Sequence, residues 1–218
     1  METTDRLKNE NLRSECYRLL AALFYPPERS RLLDEATCLK LAGLLDELYP
    51  EAPASDQAAV MQEQLSTLDE NQMKVDHATL FVGPFALKAA PYGSIYLENG
   101  RRLMGDTTVA ANDLYAEAGL QLTLKEPADH IAIELEFMHY LTALAAEALA
   151  AGDEETTADL AMKQSRFLKE HLGAWVSPFC AAIAKEADTL YFRTLADCLR
   201  AFVDAEMDRL NLETTADC

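Results

Sequence analysis

Residues able to do chemistry concentrate in one stretch, EPADHIAIELEFM, residues 126–138. Asp129 and His130 stand side by side at the mouth of an apolar segment, and Glu134 and Glu136 follow among apolar neighbours. A carboxylate beside an imidazole can carry general acid–base chemistry. Such chemistry usually needs a nucleophile, and the chain has neither a Gly-x-Ser-x-Gly turn nor a reactive-cysteine setting. A local role is also open: an Asp in a helix's first turn favours the dipole and accepts backbone N–H groups. A third reading is recognition, with the pair offering hydrogen bonds and negative charge to a bound peptide. Glu136 and His139 have the Glu-x-x-His spacing of di-iron bundles, which also require a second such pair and two further inward glutamates. No second pair exists, so no metal is expected. GRRLMGDT, residues 100–107, mimics the glycine spacing of a phosphate loop, but it has no lysine and no preceding strand. His77, His139 and His171 are expected on helix surfaces or in satisfied core positions.

A second segment differs in kind. Residues 80–97 hold Gly83, Gly93, Pro84 and Pro91 and show no helical period, yet they carry Phe81, Phe85, Leu87, Tyr92, Ile95, Tyr96 and Leu97. Solvated loops are usually polar, whereas long ordered loops are often functional. This one is expected to pack against the start of the helix that follows Pro127. Together the two segments suggest a groove. Phe81, Phe85 and Tyr92 would anchor apolar groups, and Asp129, Glu134 and Glu126 would face cations.

The elements that must position these residues read as helices. Leu12, Cys16, Leu19, Leu20 and Leu23 share one face of a first helix that ends at Tyr25-Pro26-Pro27. Ser30 can cap a second helix carrying Leu33, Leu41, Leu44, Leu45 and Leu48. Further helices are expected over 55–68 and 71–81, and then from a Thr107 or Thr108 cap to Gly119. Pro127 suits the first turn of a central buried helix that runs to Ala151. Asp153 can cap the next, reaching Gly173. Trp175, Phe179 and Ile183 mark another, and Leu195 to Leu210 a last one before a polar tail at 213–218. The expectation is an all-α, single-domain compact bundle of roughly eight to ten helices over residues 1–218.

Composition agrees: alanine and leucine dominate, and glycine and proline number only eight each in 218 residues. The 37 acidic and 19 basic residues give a net charge of −18. That charge argues against nucleic acid and anionic membranes as partners and favours a basic peptide. The five cysteines are scattered, with no zinc or disulfide pattern. The start METTDRLKNE lacks an apolar stretch, and no run reaches the ~18 apolar residues of a membrane span. A cytoplasmic protein with reduced thiols is expected.

LFVGPFALKAAPYGSIYL, RLMGDTT and PADHIAIELEFM, in this order, resemble the TorD/DmsD family of redox-enzyme maturation chaperones. The likeness extends to Tyr17–Pro27, FLKEHLGAW and YFRTLADCL, and so spans most of the chain. It implies an all-α chaperone without catalytic turnover and without a cofactor of its own. Such a chaperone binds the twin-arginine signal peptide of a molybdoenzyme catalytic subunit and delays export until the client's molybdopterin is inserted. Peptide-binding positions of the family match Tyr25, Leu80, Phe81, Phe85, Tyr92, Asp129 and His130 here, and the charge argument adds Glu134. Some relatives carry tryptophan where this chain has Phe85 and Tyr92. A monomer is expected, with the loop before Pro127 a hinge at which two copies can exchange segments. The competing readings are a small helical enzyme or nucleotide-dependent factor using Asp129-His130, and an acidic subunit that holds one partner permanently.

Overall fold

A computed structural model describes residues 3–83, 87–98, 103–123 and 126–216, the last six in backbone only. Phe85 and Cys218 lie outside the described residues. Among the described residues eleven α-helices follow one another: α1 (Thr3–Leu23), α2 (Arg29–Asp34), α3 (Thr37–Leu48), α4 (Ala54–Thr67), α5 (Glu70–His77), α6 (Ser94–Leu97), α7 (Asp106–Glu117), α8 (Ile131–Ala151), α9 (Glu154–Phe167), α10 (Gly173–Glu186) and α11 (Leu190–Ala216). There is no strand among the described residues. The all-α expectation holds, and two of the eleven helices have only six and four residues. Two π-helical segments extend α5 and α9, Ala78–Val82 and Leu168–Leu172.

The chain forms two compact units: Met1–Ala21 with Tyr92–Ala174, and Ala22–Pro91 with Trp175–Cys218. In the first, α8 packs on α9. Its core stacks Tyr115, Phe137 and Phe167, with Tyr115 and Phe137 4.5 Å apart and Phe137 and Phe167 4.7 Å apart between ring centres. Helix α8 is apolar around most of its circumference and is buried accordingly from Ile131 to Leu149. In the second unit α4 packs on both α3 and α11. An aromatic cluster of Phe24, His77, Phe81, Phe179 and Phe192 fills its centre, with Trp175 against Phe179 at 5.2 Å.

Several boundaries depart from the sequence reading for local reasons. The helix expected from Ser30 is two, because Ala36 takes a left-handed conformation (φ 50°) between α2 and α3. Glu28, not Ser30, stands at the α2 N-cap. Helix α7 is capped neither by Thr107 nor by Thr108. Gly105 occupies the N-cap, and the Glu98 carboxylate accepts the Thr107 N–H from outside at 2.9 Å. The central helix begins at Ile131, not in the turn of Pro127. The Asp129 carbonyl, which a helix would give to residue 133, accepts the Gly93 N–H instead at 2.9 Å. The C-terminal stops are as expected: Gly119 (φ 82°) follows α7 and Gly152 (φ 72°) ends α8 in the left-handed region. Asp153 caps α9 through the Thr156 N–H.

Candidate functional site

The first unit gathers three segments around Asp129. The side chain is fully buried. Its Oδ2 accepts the Ser94 N–H at 2.7 Å, and its Oδ1 accepts the Thr108 hydroxyl at 2.9 Å. One carboxylate thus ties the start of α6, the first turn of α7 and the entry to α8. A buried carboxylate is tolerable only with such partners, and removing one leaves a costly orphan. His130 is the N-cap of α8: its Nδ1 accepts the Ala132 N–H at 3.1 Å, so the neutral ring's proton sits on Nε2. The His130 ring meets Tyr92 edge-on at 5.4 Å, and the two residues also form an isolated antiparallel bridge. The Tyr92 hydroxyl donates to Glu126 Oε2 at 3.1 Å. Burial first, and the Glu126 charge second, push its pKa up to about 12, so it remains a donor at any ordinary pH. Tyr115 donates to the Ala128 carbonyl at 2.7 Å, and burial holds its hydroxyl protonated.

The expected packing of the apolar loop on the start of the central helix is therefore found from Tyr92 onward. The earlier part of the loop belongs to the second unit, where the Ala89 N–H donates to the Leu80 carbonyl at 3.0 Å. The structure brings Tyr92, Asp129 and His130 together in the first unit. Glu134, on α8 in the same unit, is fully buried. Leu80 and Phe81 lie in the second unit as core residues, 0% and 5% exposed. Phe81 stands 5.2 Å from His77 and 5.8 Å from Phe192 between ring centres. Tyr25, just past α1, is half-buried. None of Leu80, Phe81, Asp129 and Glu134 offers an open surface to a peptide in this conformation. Of the other histidines, His77 is a core residue bonded to the Phe24 carbonyl at 3.3 Å, and His171 stacks on Phe167 at 5.0 Å. His139 Nδ1 lies 2.8 Å from the Ser14 hydroxyl.

What lies open beside Asp129 is a cleft of about 370 Å³ between the start of α7 and the segment leading into α8. Met104, Val109, Leu122 and Pro127 wall it, Thr108 reaches its floor, and exposed Glu126 stands at its edge. Leu103, Met104 and Val109 are large, apolar and half or more exposed (50%, 71% and 59%). They stand on a surface otherwise rich in charge. Sequence reasoning named Glu126 but missed Ser94, Thr108 and the apolar wall. The signal available was LMGDTT, residues 103–108, where two apolar residues precede a helix start without a core period to place them. Gly105 also has a positional reason, because a Cβ there would overlap the Glu98 carboxylate that caps α7. No group of three or more His, Cys, Asp or Glu side chains able to hold a metal occurs among the described residues.

Residues 32–181 match the family described as nitrate reductase delta subunit. The chain is 25% identical over 224 residues to the chaperone protein TorD of Shewanella piezotolerans, covering 94% of each. It is 29% identical over 186 residues to the Tat proofreading chaperone DmsD of Salmonella typhimurium, covering 84% of this chain and 83% of that one. A crystal structure of a redox enzyme maturation protein from Archaeoglobus fulgidus shares the fold, with a TM-score of 0.56 at 20% identity over 88% of this chain and 93% of that one.

Proposed function

The chain belongs to the nitrate reductase delta subunit family, with the TorD/DmsD redox-enzyme maturation chaperones, and on that premise we propose that it is a cytoplasmic chaperone for a molybdoenzyme. In this reading it binds the twin-arginine signal peptide of the catalytic subunit and delays export until molybdopterin has been inserted. It turns over no substrate, and the cofactor belongs to the client. Curated relatives over most of the chain are named chaperones, one of them for Tat proofreading.

The observation that carries the reading is the cleft beside Asp129. A twin-arginine signal joins a basic segment to a moderately apolar one. The cleft pairs an apolar wall with a carboxylate at its edge, in a protein of net charge −18. Met104 and Val109 would take the apolar stretch, Glu126 an arginine fork, and the overall field would speed encounter. Asp129 and His130 act behind the surface. They fix the α7 and α8 starts that form the cleft, so changing them would alter binding through its shape. Leu80 and Phe81 would support binding as core residues of the second unit.

The test is calorimetric titration of a synthetic twin-arginine peptide against wild type, Val109→Glu and Glu126→Gln. Val109→Glu is expected to cost about 1–3 kcal/mol of affinity, and Glu126→Gln less, with an effect that fades at high salt. Equal affinities in all three proteins would remove the cleft from the account. A second reading, a permanent subunit, has the family's description in its favour. Recovery of a mature oxidoreductase in fixed stoichiometry from cell extract, in place of its precursor, would establish it.

A further inference from the structure

A cleft of about 850 Å³ in the second unit lies between the turn joining α3 to α4 and one face of α11. Its volume falls in the range of sites that enclose a ligand of appreciable size. On α11 the lining positions are 197, 200, 201, 204, 205, 208 and 209, a single helical stripe. Ala201 and Ala205 form its low middle, and Leu48, Tyr49 and Pro53 face them from the turn. Tyr49 is fixed in place: its hydroxyl donates to the buried carboxylate of Glu206, and its ring lies 6.3 Å from Phe202.

The charges around this apolar floor are unbalanced. Four carboxylates and two guanidiniums line the cleft. Arg200 donates to Asp197 at 3.2 Å, and Arg209 turns to Glu206 at 3.8 Å. No ion pair to Glu51, Asp204 or Asp208 occurs among the described residues. Asp204 and Asp208 stand one turn apart on α11, an arrangement of like charges that destabilises a helix on its own. An apolar trough with a surplus of negative charge on its rim is complementary to one kind of surface: an apolar ridge flanked by cations.

We propose that this cleft is a second docking site, distinct from the one beside Asp129, and that it receives a basic amphipathic helix of a protein partner. An aliphatic side chain of that helix sits over Ala201 and Ala205 against Tyr49. Its lysines or arginines meet Glu51, Asp204 and Asp208. Small residues at 201 and 205 let the partner's backbone come close, and the fixed Tyr49 ring presents an anchor wall without further ordering. The proposal does not depend on the signal-peptide reading.

The experiment follows backbone-amide resonances of the full chain during titration with a short synthetic amphipathic helix of leucine and lysine. Its leucine–glutamate counterpart and a twin-arginine peptide are run in parallel. The expected result is that the lysine helix shifts resonances in 48–57 and 197–209, and that the glutamate helix does not. Asp204→Lys with Asp208→Lys should weaken it about tenfold. Ala205→Trp, which fills the trough without changing charge, should weaken it comparably. Asp46→Lys with Glu63→Lys, equal in charge but elsewhere on the unit, should leave it nearly unchanged. Equal weakening by the two charge-reversed pairs would reduce the effect to net charge and overturn the proposal, as would full binding by Ala205→Trp or shifts lying outside the cleft. The twin-arginine peptide reports separately on residues 92–130, so failure of either site is seen independently of the other.

Discussion

Asp129 is fully buried, with one oxygen bonded to the Ser94 N–H and the other to the Thr108 hydroxyl, so it supports the fold from within. Its substitution should therefore be felt first in stability. Asp129→Asn puts an amide NH2 where an oxygen now accepts, and is expected to cost about 1–3 kcal/mol of unfolding free energy. Thr108→Val removes one of the same two bonds, so the double variant should fall short of the sum of the single effects. Chemical denaturation of the three variants measures this. Additive losses would show that the bond between Asp129 and Thr108 contributes nothing. Phe81 is an equally structural case: ringed by Phe24, His77, Phe179 and Phe192, its replacement by Ala should cost about 3–5 kcal/mol. His77 and His171 give a pH signature. Burial lowers the pKa of both below 6.5 in the folded protein, whereas the unfolded chain takes up protons near that value. Their contribution is complete above pH 6.5 and is lost as the pH falls toward the folded pKa values. Melting temperatures between pH 7.5 and 5 should decline less in a His77→Gln variant than in wild type. Parallel curves would refute the assignment.

At the scale of elements, the start of α7 shows how a helix end can be built from a distance. Gly105 provides no capping side chain, and Glu98 supplies the acceptor. Gly105→Ala drives the Glu98 carboxylate out of that position. The loss should be about 1 kcal/mol, the usual worth of a cap, and amide exchange should quicken in the first turn of α7. Unchanged exchange at Thr107 would mean that water caps the helix as well as Glu98 does. The same end shows where sequence reading reaches its limit. Helix bodies were legible because apolar spacing is local: α4 and the end of α8 at the Gly152-Asp153 break lie within a residue or two of expectation. The starts of α7 and α8 were not, because groups outside each helix fix them: the Glu98 carboxylate accepts the Thr107 N–H, and the Gly93 N–H donates to the Asp129 carbonyl. Asp129 was recognisable as unusual, but its partners Ser94 and Thr108 come from segments with no periodic relation to it. Phe81 looked like a surface anchor because an aromatic residue in a Gly- and Pro-bearing loop carries no mark of burial. In the structure it lies within a π-helical turn, Ala78–Val82, and is buried there with Leu80.

At the scale of the whole molecule, the two units are built from interleaved stretches of chain. The path changes unit at Ala21, Pro91 and Ala174, and at two of these points it does so within a helix, α1 and α10. Neither unit is a continuous segment with its own linker, so we propose that they unfold as one domain. Far-UV circular dichroism, which senses every helix, and the fluorescence of the single tryptophan, Trp175, should report one coincident transition. Two separated midpoints would divide the chain into independent domains. Net charge acts at this scale too: −18 attracts a basic segment from a distance and makes association faster at low salt, without choosing where that segment binds. The choice of site is the central claim. It is tested most directly by following the backbone-amide resonances of the full chain during titration with a peptide carrying paired arginines ahead of an apolar segment. The account predicts saturable shifts concentrated in residues 92–98, 103–112 and 122–130, around the cleft beside Asp129. Shifts confined to other parts of the chain, or no shifts at millimolar peptide, would contradict it.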